Sequence, residues 1–310
     1  MIDQHSLKER ISLLDPEDSH SILSYGNSTQ TRLAEISGSM LQVVQRKEAG
    51  LIGDAIQELL AKLDEVPVDK LIGAPGKFSK LFRRRTSSIQ ETLSKLHKMA
   101  IVIERISVKL DRSKSFLLED TLKLERYKEL NYEFYHDLEA HITAGEKYLE
   151  ILVGQIIPKC KEEGDSSLNP MKADRLVQGQ QCAELLENRL LDLKVSREIA
   201  LQSIAQINMI QKSNEIFYDK IQSSIVTSIP IWRNQVSIVL SLLREKKAEE
   251  IKRWNNSIET AGIQTLKGTQ ENLMSSLREA IKIHQAGEAD RNKTVSQLSG
   301  LASHRLGKIT

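Results

Sequence analysis

A hydrophobic seam runs through residues 89–156 without losing step. Alternating strides of four and three from Ile89 land on Leu93, Leu96, Ala100, Ile103, Ser107, Leu110, Lys114, Leu117, Thr121, Leu124, Lys128, Asn131, Tyr135, Leu138, Ile142, Gly145, Leu149, Leu152 and Ile156. A mean spacing of 3.5 keeps one stripe of a helix facing its neighbours. The stretch therefore predicts one helix over about 86–157, ~110 Å long at ~1.5 Å per residue. Ser88 with Glu91 fits a capping box at its start. Aromatic residues make up only 4% of the chain and charged residues 28%, which suits helices burying a narrow stripe better than a wide globular core.

A second seam follows the turn-like "PKCKEEGDSSLNP" (158–170), where Asn169 can cap and Pro170 suits a first helical position. It reads Ala183, Leu186, Leu190, Leu193, Arg197, Ala200, Ile204, Ile207, Gln211, Asn214, Tyr218, Ile221 and Ile225, then Ile229, Trp232, Val236, Val239 and Leu243. Two consecutive steps of four, at Ile225 and Ile229, are a stutter that falls at Pro230. Two long helices joined by a short turn lie antiparallel, and a third helix over about 258–308 can cover their open side. The expected fold is all-α: an elongated antiparallel bundle, a long helical hairpin plus a third helix, with a small N-terminal helical region. The expected divisions are a loose polar lead-in (1–28), an N-terminal helical region (29–63) broken at Gly50 and Gly53, a basic linker (64–85) and the bundle (86–310).

Several polar features stand out against this frame. Arg197, Gln211 and Asn214 occupy seam positions where Leu or Ile would pack best. They either fix the register between helices or mark a binding face that also includes Gln202 and Gln206. Pro230 interrupts a helical pattern, at a cost of ~3 kcal/mol or more in a regular helix. It reads either as a structural kink or as a kink displaying Lys220, Gln222, Trp232, Asn234 and Gln235 to a partner. Trp232 itself falls on the seam. "KFSKLFRRR" sets Lys77, Lys80, Arg83, Arg84 and Arg85 beside Phe78, Leu81 and Phe82, with no acidic residue from Lys77 to Ser88. It suits either a solvated linker or an anionic membrane surface.

Positive signs of chemistry are sparse. Glu133-x-x-His136 resembles half of a helical di-iron site, but no second Glu-x-x-His falls in the seams of the long helices. "GAPGK" (73–77) lacks the P-loop spacing. Cys160 and Cys182 form no C-x-x-C and suit a reducing compartment. A net charge of +2 argues against a nucleic-acid binder. No apolar run nears the ~20 residues of a membrane span, and the N-terminus shows no apolar leader segment. No cofactor, metal or catalytic residue is expected.

The stretch "LLENRLLDLKVSREIALQSIAQINMIQKSNEIFYDKIQSSIVTSIPIWRNQ" (185–235) closely resembles the TelA/KlaA family of toxic anion resistance proteins. So do "ILSYGNSTQTRLAEIS" (22–37), "LEAHITAGEKYLE" (138–150) and "IQTLKGTQENLMSSLREAIKIHQAGEADR" (263–291), in the same order. The family's R-x-x-x-L-Q, Q-I and I-Q elements fall on Arg197, Leu201, Gln202, Gln206, Ile207, Ile210 and Gln211. Its K-I-Q-S-S falls on Lys220 to Ser224, and its I-P-x-W-x-N-Q on Ile229, Pro230, Trp232, Asn234 and Gln235. Ala205 and Asn208 depart from the family's usual Pro and basic residue, and the connection around 254–263 is shorter than in relatives.

The resemblance implies a role in resistance to tellurite and to cell-envelope stress, alongside other tellurium-resistance proteins and without known enzymatic activity. The resulting expectation is a cytoplasmic, non-enzymatic helical adaptor or scaffold, peripheral at the inner face of the membrane through its basic linker. Two alternatives are a direct oxyanion-binding protein using Arg197 and its Gln neighbours, and a self-assembling coiled-coil structural protein.

Overall fold

The computed structural model describes residues 4–45, 48–66, 68, 82–165, 170–244 and 257–306. Among them the chain is helical and contains no strand. Four shorter helices come first: α1 (Gln4–Ile11), α2 (Ser19–Ser24), α3 (Asn27–Val44) and α4 (Glu48–Asp64). The long helix α5 (Phe82–Ile151) leads through a π-helical turn (Leu152–Ile156) into α6 (Ile157–Asp165). Next, α7 (Pro170–Ser223) leads through a second π-helical turn (Ser224–Ser228) into α8 (Ile229–Arg244), and α9 (Ser257–Leu306) closes the order. The fold is an all-α helical bundle.

The long helices follow the predicted seams. No seam position of α5 from Leu93 onward is exposed, and the stripe is widened by buried flanking residues such as Met99, Ile106 and Phe134. Helix α7 opens on Pro170, where the missing N–H costs nothing because the first amides of a helix have no internal partner.

The chain divides into two compact units, each combining shorter helices with sections of α5, α7 and α9. One contains residues up to Val44, Lys123–Met209 and the chain from Lys293. Its core gathers Ile22, Tyr25 and Leu33 with Phe134, Leu138, Ile142, Leu186, Leu190 and Leu193. The other contains Gln45–Leu122 and Ile210–Asn292. Its core gathers Ile52, Ile56, Leu59 and Leu63 of α4 with Leu96, Ile103, Ile106, Phe217, Ile229, Trp232, Leu266, Leu273 and Leu277.

Several local expectations change. The lead-in expected to be loose carries α1 and α2, and it buries Leu14, Ile22 and Tyr25 in the first core. A turn falls at Gly26, whose φ of 69° favours a residue without a β-carbon. Gly50 and Gly53 do not break the N-terminal helical region. Helix α3 ends at Val44, α4 starts at Glu48, and both glycines lie inside α4, where Gly53 permits close approach to His284. Helix α5 begins at Phe82, so the basic linker ends earlier than expected. Lys77, Phe78 and Lys80 lie outside the described residues, while Phe82, Arg83, Arg84 and Arg85 form the first turn of α5. Much of the stretch expected as a turn after α5 is helical instead, from Pro158 to Asp165.

Both prolines within the long helical stretches are met by the same device. Each follows a five-residue π turn and one isoleucine: Leu152–Ile156, Ile157, Pro158, and Ser224–Ser228, Ile229, Pro230. The amide of each isoleucine donates five residues back, to the carbonyl of Leu152 or Ser224. A proline offers no N–H, and its ring collides with the carbonyl four residues earlier, so a wider turn ahead of it relieves the conflict. The extra residue also resets the seam. Ile221, Ser224, Ile229 and Trp232 are buried, a stride of five across the π turn, whereas Ile225 is only half-buried.

Candidate functional site

The polar seam residues are resolved into separate, mostly satisfied contacts. In the first unit Arg197 donates to Glu139 at 2.6 Å and to Glu198 at 2.9 Å. Its hydrogen bond to Glu139, then that to Glu198, raise its pKa above the ordinary guanidinium value. Two carboxylates on one guanidinium oppose the approach of an oxyanion. Gln206 is buried and donates to Gln297 at 2.8 Å, while Gln202 is exposed.

A further polar group of this unit was not visible in the seams. The Thr29 hydroxyl and the Arg10 guanidinium both donate to the Asp137 carboxylate, and the Tyr25 hydroxyl donates to the His141 carbonyl at 2.9 Å. Burial raises the Asp137 carboxyl. The hydrogen bonds from Thr29 and Arg10, with the charges of His141 and Arg10, outweigh it and hold the group below the ordinary carboxylate value. Gln30 donates to Ser196 at 2.7 Å and to the Asp192 carbonyl at 3.2 Å, and Arg189 donates to the Tyr25 carbonyl at 2.7 Å. These contacts bring together the stretches 22–37, 138–150 and 185–200, far apart in sequence.

In the second unit Gln211 donates to the Thr121 carbonyl at 3.2 Å. Asn214 accepts from Arg291 at 3.0 Å, and Asp120 lies 3.4 Å from the same guanidinium. Arg291 is only 6% exposed, and its Nη1 has no hydrogen-bond partner among the described residues. Burial lowers its pKa from the ordinary guanidinium value, against the charge of Asp120. Beside it Ser213, Asn214, Phe217, His284, Gly287 and Glu288 line a cavity of about 10 Å³. That is room for a single water molecule rather than a polyatomic ligand. The sequence offers one signal for this cluster. Strides of three and four along α9, from Ile263 through Leu266, Gln270, Leu273, Leu277 and Ala280, continue onto His284, Gly287, Arg291 and Thr294.

Around the second π turn, Ser224 is buried with its hydroxyl 3.2 Å from that of Ser276, and Lys220 pairs with Glu279. Gln222 accepts from Lys114. Trp232 is 0% exposed and belongs to the core, so it is not displayed to a partner. What α8 displays includes two large apolar side chains: Ile231 and Ile238 are exposed beside Pro230, Arg233, Asn234 and Ser237, next to Val226 of the π turn. From Gln222 to Leu242 the sole charged residue is Arg233, and it pairs with Glu104. Among the described residues, no group of three or more His, Cys, Asp and Glu side chains is arranged to hold a metal ion.

The comparisons decide the family. The family described as "Toxic anion resistance protein (TelA)" matches residues 7–260. The chain belongs to the TelA toxic anion resistance family. The "Uncharacterized protein YaaN" of Bacillus subtilis is 38% identical, over 92% of this chain and 81% of the relative. A TelA-like protein of Staphylococcus haemolyticus is 34% identical, over 93% of this chain and 81% of the relative. An uncharacterized protein of Listeria monocytogenes is 35% identical, over 94% and 80%. No solved structure matches this TelA-family chain. The TelA match takes in Arg197 and the π turn before Pro230, and ends ahead of the resemblance seen at 263–291. No helix among the described residues is long and apolar enough to cross a membrane.

Proposed function

We propose that this TelA-family chain is a non-enzymatic helical adaptor in resistance to tellurite and cell-envelope stress. On this reading it acts in the cytoplasm together with other tellurium-resistance proteins. The observation that carries the reading is the outward side of Val226–Ile238. Its inward residues form core, while Val226, Ile231 and Ile238 stand exposed on a stretch almost free of charge. Exposed apolar side chains on a stretch this poor in charge suit contact with another protein. The engagement of Arg197 by Glu139 and Glu198 weighs against direct oxyanion binding. Burial pushes the Cys182 thiol up to about 11, which leaves almost no thiolate at neutral pH for reductive chemistry. In the same reading, Lys77 to Arg85 hold the protein to the anionic inner membrane surface.

The test is tellurite tolerance in a sensitive bacterium lacking related genes. The chain alone is expected to leave tolerance unchanged, and to raise it when neighbouring tellurium-resistance proteins are supplied. Tolerance conferred by the chain alone, with tellurite bound by the purified protein, would replace the adaptor reading with direct binding.

A further inference from the structure

His284 of α9 is 8% exposed and is the seat on which the start of α4 rests. A β-carbon placed on Gly53 would come within 2.5 Å of the imidazole Cδ2 and Nε2, so the backbone of α4 lies directly against the ring. The ring also stacks on Phe217 of α7, centroids 5.1 Å apart and planes 25° apart. The small cavity adjoins the same ring. The charged groups facing it are Asp54 on α4 and Glu288 and Arg291 on α9, with Asp120 of α5 behind the guanidinium. Glu288 stands 3.4 Å from Nε2 but is half exposed to solvent, which weakens any compensation it offers a buried positive charge. The far end of α4 is held independently, because Gln270 donates to the Leu63 and Val66 carbonyls.

We propose that α4 is a pH-gated cover: protonation of His284 unseats its first half, while Gln270 keeps its far end attached. Lifting α4 would expose Ile52, Ala55 and Ile56, which the seated helix buries in the second core. The direction follows from the environment. Burial, the largest influence, lowers the His284 pKa; Glu288 raises it, Arg291 lowers it and Asp54 raises it, with a net decrease from the ordinary histidine value. A histidine held neutral in the closed state gives full closure above its open-state pKa of about 6.5. Closure weakens as pH falls from there toward the lowered closed-state value, by up to about tenfold in the opening equilibrium per pH unit.

Amide hydrogen exchange on the full chain at pH 7.5 and 5.5, corrected for intrinsic rates, reads this directly. The expected result is a loss of protection of several-fold to tenfold at pH 5.5 in residues 51–57, with a smaller change near Leu63. In His284→Gln the two pH values should give the same corrected protection. NMR titration of His284 in the unaltered chain is the second readout, and needs no variant to fold. An imidazole titrating at or above about 6.5 would overturn the proposal, as would pH-independent protection of residues 51–57 or an undiminished pH response in His284→Gln.

Discussion

At the scale of single residues, buried charge and close approach set the sharpest expectations. Arg291 is enclosed with Asp120 and Asn214 as its acceptors. Removing Asp120 leaves an uncompensated guanidinium, so Asp120→Ala is expected to cost roughly 3–5 kcal/mol in denaturant unfolding. Arg291→Met likewise strands the buried Asp120 carboxylate and should cost a similar amount, whereas replacing both partners by apolar residues should cost markedly less. Asp137 makes the opposite kind of statement, about pH. Its carboxyl is held below the ordinary value, so it stabilises the fold at pH above the unfolded carboxylate range of about 4 and loses that contribution as pH falls through its native value. The unfolding midpoint of Asp137→Asn should therefore lie below that of the parent at pH 7, with the gap closing toward pH 3. Gly26 combines a positive φ with a neighbour, Leu193 Cδ2, only 2.8 Å from where a β-carbon would sit. Gly26→Ala is expected to destabilise by at least about 1 kcal/mol, from backbone strain and overpacking together.

At the scale of elements, the seams were legible because burial repeats with the helical period, and a strict repeat over many turns leaves little choice. The stutter at Pro230 was legible as well, yet spacing alone placed it as two strides of four. The helix instead takes one stride of five, from Ser224 to Ile229, because a serine can be buried there when its hydroxyl meets Lys220 O and Ser276. The same logic explains why Gly50 and Gly53 looked like breakers. Their purpose is contact with α9, a tertiary fact that local propensity does not carry. Trp232 follows the π turn and fills the second core, so Trp232→Ala should cost ~3–5 kcal/mol as a large buried truncation. The contacts of Arg10, Thr29 and Gln30 left no periodic trace. They come from short helices whose partners lie over 100 residues away.

At the scale of the whole molecule, the all-α bundle was readable from the sequence, but its division into two units was not. The α5 seam passes from Leu122 to Lys123 without a change of stride, so nothing in its period marks the boundary. Family membership ties the chain to toxic anion resistance. The adaptor role rests on the outward side of α8. The most direct measurement is tellurite tolerance, with partner proteins supplied, of Ile231→Asp/Ile238→Asp against Leu201→Asp, an equally exposed position on α7. Exposed substitutions of this kind are expected to change stability by no more than about 0.5 kcal/mol each, to be checked by thermal unfolding. The account predicts that the α8 pair abolishes the tolerance and Leu201→Asp leaves it intact. Full tolerance in the folded α8 pair would contradict it.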